Sequence, residues 1–319
     1  PLDIGVVKAL SWLSATMKEE LLFDMCRHNL RSHQLFRLVE QTNNVVMKRI
    51  CSRIEFKTLL SQDVLFVQDV KSDNAYLVTS GILEYTQHFG SSVLTQNLVD
   101  QDPERVQEVS EKKWLSWASL WSHWVHVGKA EAKPMSEVMI LSSSALLENI
   151  DRCQELREFV NLYSVQFHKR LVSASPSSEW AGVWPSDVEV PLTDYGEIVL
   201  GMDQANQKFV ATMVLEKLGT HYMLPWRGMS SVRMHELVNE VLAGQCVLVE
   251  NEEGAAERVV AVTCMRIMRQ TGEVLAVLAK RPRDRSGDFE PEGQLPGVKQ
   301  DPGELPSQAG QRLFREQLR

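Results

Sequence analysis

The side chains best suited to chemistry are concentrated in residues 114–132, WLSWASLWSHWVHVGKAEA. His123 and His126 could ligate a metal, but two histidines without a nearby cysteine or carboxylate rarely suffice for zinc. The segment also carries four tryptophans spaced three, four and three residues apart, at positions 114, 117, 121 and 124. This spacing predicts one apolar face of a short helical turn that Gly128 would end, and such a stripe usually belongs to a protein core.

A second group of ionisable side chains lies near the end of the sequence, in LPGVKQDPGELPSQAGQRLFREQ. Glu304 falls in a loop, whereas Arg312 and Glu316 fall in a helix predicted at 306–318. Carboxylates that converge from a loop and a helix can hold magnesium against a diphosphate. A surface helix with an acidic start and mixed charge gives the same pattern without any catalytic role.

The composition limits the classes of function. The 319 residues suffice for about two domains, and 42 acidic against 34 basic residues give a net charge of −8. Without a long basic run, this balance disfavours nucleic-acid binding. The five cysteines contain no C-x-x-C pair, which predicts buried free thiols. No apolar run approaches the roughly 20 residues of a membrane helix, and no signal peptide is recognisable.

Hydrophobic periodicity predicts an α+β first half. Apolar stripes of helical period predict helices at 16–32, 38–50 and 144–171, the last broken near Asp151. Short alternating runs from residue 53 onward, separated by turn residues, predict β-hairpins of a small sandwich or barrel. EVMILS at 137–142 is typical of a further strand, and the polar stretch 100–113 of a surface loop.

The second half is predicted to be a smaller α/β domain. Helices are expected at 203–218, 230–243 and 306–318, and strands at 245–250, 257–268 and 273–280. We therefore divide the chain into a helical segment at 1–50, a β-rich domain at 51–172, a linker at 173–200 and an α/β domain at 201–319. Because the sequence starts at Pro1 and stops inside a helical pattern, we expect a longer protein, with the last domain incomplete.

The order of elements in residues 10–172 resembles the cytoplasmic C-linker and cyclic-nucleotide-binding region of voltage-gated potassium channels and cyclic-nucleotide-gated channels. The resemblance is carried by MKEELLFDMCRHNLRSHQLF, LSQDVLFVQDVKSDNAYLVTSGILEY and the tryptophan segment. It implies a helical linker, an antiparallel β-roll and C-terminal helices. It also implies a non-catalytic regulatory and assembly region at the cytoplasmic face of a membrane, which forms a homo-tetramer and partners the membrane-embedded channel portion of the same protein.

The same resemblance places a vestigial nucleotide pocket at Ser116, Trp117, Ala118, His126 and Lys129. In the family, a glutamate binds the ribose and an arginine binds the cyclic phosphate. Here Trp117 stands at the glutamate position and His126 at the arginine position. Because each lost charge-assisted bond is worth about 1.5–3 kcal/mol, we expect no cofactor, with cyclic AMP or cyclic GMP binding as the alternative. Trp117 and its neighbours would fill the pocket or accept an apolar ligand.

In some channels of this family, the segment after the long helix occupies the nucleotide pocket as an intrinsic ligand. Glu179-Trp180 and Trp184-Pro185 have a suitable position for that role. The resemblance therefore yields a further hypothesis, in which residues 178–186 fill the pocket.

The C-terminal group resembles a degenerate Nudix box, the motif of hydrolases that cleave diphosphates with magnesium. Glu304, Arg312 and Glu316 match the motif, and Phe314 stands at its apolar position. Val298, Leu313 and Gln317 replace a glycine and two glutamates of the motif. One carboxylate in the helix can hardly hold the metal, so we expect no catalytic residue here. Magnesium-dependent hydrolysis is the alternative.

Overall fold

The structure is a computed structural model that describes residues 12–88, 104–174, 184–221, 236–237, 239–241, 243–244, 246–251, 253–269, 271–280, 290–301 and 303–317. The chain forms two compact units. The first comprises Pro1–Tyr195 and Glu250–Ala255, and the second comprises Gly196–Val249 and Ala256–Arg319. The segment predicted as a linker, 173–200, is therefore built into the first unit as far as Tyr195 in its described part.

Three helices open the first unit: α1 (Ala15–Leu30), α2 (Gln34–Thr42) and α3 (Asn44–Cys51). The prediction of a single helix at 38–50 was wrong. The side chain of Asn43 accepts hydrogen bonds from the amides of Val45 and Val46, so it ends one helix and caps the next. The buried faces of α2 and α3 carry apolar residues, including Phe36, Val39 and Ile50; Phe36 precedes the predicted helix but lies within α2.

Two four-stranded antiparallel sheets follow, which we call the β-roll. The first has the order β1-β10-β4-β7 and the second β2-β9-β5-β6, while β3 pairs with β8. The strands are β1 (Glu55–Leu59), β2 (Val64–Phe66), β3 (Lys71–Ser72), β4 (Asn74–Ser80), β5 (Leu83–His88), β6 (Glu104–Val109), β7 (Trp114–Leu115), β8 (Trp124–Val125), β9 (Gly128–Ala132) and β10 (Ser136–Ser142). A short 3-10 helix, Trp117–Leu120, connects β7 to β8.

The β-roll confirms the predicted strands but corrects their pairing as hairpins, and it corrects one loop. β1 pairs with β10 and β2 pairs with β9, instead of with each other. Residues 104–109, predicted as surface loop, form β6 and pair with β5 along its whole length. Alternation of Leu83 and Tyr85 with outward residues buries one face of β5 in a core that also contains Phe66 and Val138. The predicted break near Asp151 is confirmed, because α4 (Ser143–Ile150) ends one residue earlier and α5 (Gln154–Ser173) begins three residues later.

The second unit combines helices with three two-stranded sheets, β11-β12, β13-β16 and β14-β15. Its helices are α6 (Tyr195–Leu200), which begins at the last residue of the first unit, α7 (Gln204–His221) and α8 (Pro306–Gln317). Its strands are β11 (Val247–Glu250), whose last residue belongs to the first unit, β12 (Ala256–Val259), β13 (Val262–Cys264), β14 (Val277–Lys280), β15 (Glu290–Gln294) and β16 (Gly297–Lys299). The single strand predicted at 257–268 is divided, and the predicted charged loop contains β15 and β16. The helix predicted at 230–243 lies largely outside the described residues. In the described parts of the chain, no helix has the length and apolarity to cross a bilayer.

Candidate functional site

The carboxylate of Asp187 is completely enclosed by the first unit, with a side chain 0% exposed. Oδ1 lies 2.8 Å from Trp124 Nε1, 2.7 Å from His126 Nδ1 and 3.2 Å from Ser116 Oγ. Oδ2 accepts hydrogen bonds from the hydroxyl of Tyr85 at 2.9 Å and from the backbone amide of Val127 at 2.9 Å. We call these five groups, from Tyr85, Ser116, Trp124, His126 and Val127, the anion hole.

The β-roll positions every member of the anion hole. Tyr85 points inward from β5, and Trp124 lies on β8. Ser116 lies between β7 and the 3-10 helix with a left-handed φ of 54°, which is uncommon for a residue with a side chain. The ring of His126 stacks on Phe66 with centroids 3.8 Å apart and an interplanar angle of 3°. This stack fixes the ring, and the 2.7 Å contact with Asp187 places a proton on Nδ1.

Backbone contacts hold the segment that carries Asp187. The amide of Ser116 donates to the Asp187 carbonyl at 2.5 Å, and the Asp187 amide donates to the Tyr85 hydroxyl at 3.2 Å. Gln87 Nε2 donates to the carbonyl of Pro185 at 3.1 Å. Burial, aided by the charge of Asp187, raises the pKa of Tyr85, so its phenol keeps its proton and remains a donor. The segment is thus anchored through its backbone as well as its carboxylate.

The spacing predicted that the four tryptophans share one face of a helical turn. The structure contradicts this prediction. Trp114 lies on β7, Trp117 begins the 3-10 helix and Trp124 lies on β8. Trp114 and Trp117 still belong to an aromatic cluster: the ring of Trp117 stacks on His33 at 4.0 Å and meets Trp114 edge-on at 5.0 Å. Burial, followed by the charge of Arg37, lowers the pKa of His33 to about 3, so this ring is neutral at physiological pH.

Gly128 has a different role from the predicted one. It begins β9 instead of ending a helical turn. A Cβ at this position would lie 2.4 Å from the carbonyl oxygen of Thr86. The glycine is therefore required by the close approach of β9 to β5.

The structure brings two of the five expected pocket residues to the buried carboxylate, namely Ser116 and His126. Trp117 and Ala118 line a cavity beside it. Lys129 lies on β9, where its ammonium forms an ion pair with Glu131. His123 is exposed while His126 is buried, and within the described residues no group of three or more metal-binding side chains is assembled.

Sequence reasoning did not identify the central residue of this site. The intrinsic-ligand hypothesis named Trp184-Pro185, and the segment does reach the β-roll there, but Asp187 supplies the carboxylate. Glu179-Trp180 lies outside the described residues. Tyr85, Trp124 and the Val127 amide were also missed, because a backbone amide has no sequence signature and aromatic residues in strands are ordinary core residues. Glu189 and Asp194 lie in the same proline-containing segment, so the local sequence has no signal that singles out Asp187.

The C-terminal group forms a second, more open arrangement. Both carboxylate oxygens of Glu304 accept hydrogen bonds from Arg312, at 3.0 Å and 2.8 Å, and Arg312 also donates to the carbonyl of Lys299. This contact lowers the pKa of Glu304. Phe314, placed at the apolar position of the motif, is 52% exposed, whereas Leu313 is 0% exposed. The helix therefore buries Leu313 and leaves Phe314 at its surface.

Comparisons with solved structures find cyclic-nucleotide-binding-like domains. A cyclic nucleotide-binding-like protein from Brucella abortus is 15% identical over 36% of this chain and 97% of its own, with a TM-score of 0.29. The sensor domain of the transcriptional regulator DNR from Pseudomonas aeruginosa is 18% identical over 49% of this chain and 97% of its own, with a TM-score of 0.35. The regulatory domain of Toxoplasma gondii PKA, solved with cAMP, is 12% identical over 48% of this chain and 51% of its own, with a TM-score of 0.34. No protein-family model matches the chain, and no curated protein sequence is significantly similar to it.

Proposed function

We propose that the first unit is a non-catalytic regulatory domain of cyclic-nucleotide-binding type whose anion hole is filled by its own Asp187. The observation that carries the proposal is the enclosure of this carboxylate by five polar groups of the β-roll. Charged oxygens attract such a set of donors, whether they belong to a phosphate or to a carboxylate. Asp187 thus acts as an intrinsic ligand that stands in for a free anion.

The identities of Trp117 and His126, two residues of the expected nucleotide pocket, support the same proposal. Trp117 stacks on His33 and offers no carboxylate to a ribose hydroxyl. His126 directs Nδ1 toward Asp187, and its ring lies between apolar neighbours instead of reaching toward solvent. A free cyclic nucleotide would have to displace a buried, multiply bonded carboxylate and would then meet few of the contacts that its sugar needs.

The cellular setting is also part of the proposal. We infer that α1 to α3 form a C-linker-like segment that joins the β-roll to a membrane-embedded channel portion of the same protein, in a homo-tetramer. The helix order and the packing of α1 against α3 are compatible with that role. The coding sequence upstream of Pro1 tests it: six membrane spans with a selectivity-filter signature are expected, and a wholly polar upstream sequence would contradict the channel assignment.

Binding measurements separate the intrinsic-ligand proposal from the alternative of a nucleotide sensor. Isothermal titration calorimetry of the native chain with cyclic AMP and cyclic GMP is expected to give no binding heat at millimolar ligand. Asp187→Ala, which empties the anion hole, is the matched comparison. Micromolar binding to the native chain would overturn the proposal in favour of a sensor that still binds its nucleotide.

For the second unit, we propose a Nudix-like fold whose box has lost its catalytic function. The carboxylate of Glu304 is hydrogen-bonded to Arg312. Leu313, at a position where the motif has a glutamate, is buried in the core. The exposed Glu316 is the helix carboxylate left for a metal. A diphosphate-hydrolysis assay with magnesium is expected to show no turnover. Turnover that disappears in Glu316→Gln would instead establish the hydrolase alternative, with magnesium as its cofactor.

A further inference from the structure

A cavity of about 250 Å³ lies in the first unit, beside the segment that carries Asp187. One side is aromatic and includes His33, Trp114, Trp117 and Tyr195. Residues 186–190 and 192–194 of the returning segment also line it. The volume suits a ligand with a single ring and a short chain, since ordinary drug-sized sites begin near 300 Å³.

The aromatic side offers an uncharged π surface. His33 and Trp117 stack at 4.0 Å, and Tyr195 meets His33 edge-on at 6.3 Å. The pKa of His33, lowered to about 3, keeps that ring neutral above mildly acidic pH. The faces of tryptophan and tyrosine attract cations through their quadrupoles, and they also stack with flat apolar rings.

The rim of the cavity has an excess of negative charge. Glu189 and Asp194 contribute two exposed carboxylates, and Lys113 contributes one exposed ammonium. In the described part of the chain, none of these three side chains takes part in an ion pair. Burial raises the pKa of Tyr163 in the aromatic cluster; the charge of Asp194 adds to this shift and the charge of Arg170 opposes it. Asp187 also lines the cavity, but its oxygens are used by the anion hole.

We propose that this cavity is a binding site for a small aromatic cation. The ring of the ligand packs against His33 and Trp117, and its ammonium lies toward Asp194. Such a site combines the two features that recognise an organic cation: π faces and an unpaired carboxylate. The site is separate from the anion hole, so it can be occupied while Asp187 stays in place.

The test uses three probes with the same ring and different charge: 2-phenylethylammonium, 2-phenylethanol and phenylacetate. Their binding to the native chain is followed by quenching of tryptophan fluorescence, excited where phenyl rings do not absorb. The cation is expected to bind more tightly than the alcohol, and the anion least tightly. Equal binding of cation and alcohol, tighter binding of phenylacetate, or no binding of any probe would overturn the proposal.

Two charge variants test whether Asp194 and Lys113 act on the bound cation. Asp194→Asn is expected to weaken binding of 2-phenylethylammonium by about threefold, and Lys113→Gln to strengthen it by about as much, as for half-screened charges. Glu20→Gln, which removes an exposed carboxylate on α1, is the control and should leave the affinity unchanged. If Asp194→Asn strengthened binding and Lys113→Gln weakened it, the cavity would be an anion site instead. Unchanged near-ultraviolet circular dichroism confirms that the variants are folded.

Discussion

The anion hole and the C-terminal Glu304–Arg312 pair each hold a carboxylate with internal hydrogen-bond donors, but they differ in burial. In the anion hole, the polar donors bind the carboxylate of Asp187, whose side chain is 0% exposed. In the C-terminal pair, the guanidinium of Arg312 binds the carboxylate of Glu304, and their side chains are 25% and 14% exposed. Water can replace a lost partner only in the more open region. The same kind of substitution should therefore have much larger consequences in the anion hole.

Removal of the Asp187 carboxylate is the largest expected effect. Asp187→Ala should lower the free energy of unfolding of the first unit by about 4 kcal/mol, because it leaves buried donors without an acceptor. Chemical denaturation, followed by circular dichroism, measures this change. Glu189→Gln, two residues along the same segment and exposed, should change the unfolding free energy by less than about 0.5 kcal/mol.

Added formate distinguishes a lost anion from a general packing defect. Formate can enter the space left in Asp187→Ala and accept the same hydrogen bonds, so it should recover part of the lost stability by mass action. Chloride at equal ionic strength is the control. A variant as stable as the native chain, or a loss that formate and chloride affect equally, would contradict the role given to Asp187.

Leu313 provides the next largest effect and tests whether the second region is a lost active site. Leu313→Glu restores the glutamate of the Nudix motif but buries a carboxylate in the core, so it should destabilise the second unit by about 3 kcal/mol. Phe314→Glu, at the adjacent exposed position, should change stability by less than about 0.5 kcal/mol. Thermal unfolding of both variants measures the contrast. A stable Leu313→Glu that hydrolyses a diphosphate would show that the box is recoverable.

The sequence predicted the elements of the β-roll better than the geometry of the sites. Short apolar runs between turn residues suffice to place strands such as β4 and β10, since the signal is local. The side chain of Asn43 caps α3 and so divides a continuous apolar stripe into two helices. The strand β6 was hidden by a polar sequence, because both its identity and its pairing depend on β5.

The sites were harder to predict because their partners are distant in sequence. Asp187 meets Tyr85 across 102 positions and His126 across 61. The resemblance located Ser116 and His126, whose spacing follows the motif, but no local pattern distinguishes Asp187 from other turn aspartates. In the terminal box, Glu304 and Arg312 lie only eight positions apart, so motif spacing alone located that pair.

Arg312→Gln should have a moderate effect that calibrates the more open region. The substitution removes two hydrogen bonds from Arg312 to the carboxylate of Glu304. Because that carboxylate is partly buried, water replaces these bonds only in part. We expect a loss of about 1–2 kcal/mol from the unfolding free energy of the second unit. Arg269→Gln, which breaks an ion pair with side chains 82% and 67% exposed, is the matched control and should cost less than about 0.5 kcal/mol. Equal losses for the two variants would remove the distinction between the box and an ordinary surface pair.

Acid should separate the two regions by the pH at which each loses stability. The pKa of His33 is lowered to about 3 in the folded state, so below its ordinary value the unfolded chain binds the extra proton and the first unit loses stability. The expected loss is about 1 kcal/mol between roughly pH 7 and 5.5, and His33→Asn, which keeps an acceptor for the cap of α2, should remove it. The pKa of Glu304 is lowered by Arg312, so its contribution is complete above the ordinary glutamate range and disappears only as pH falls through that lowered pKa. Urea unfolding of both units from pH 7 down to roughly pH 3 measures the two windows. If His33→Asn left the pH dependence of the first unit unchanged, the neutral, stacked state of His33 would not be the cause of that loss.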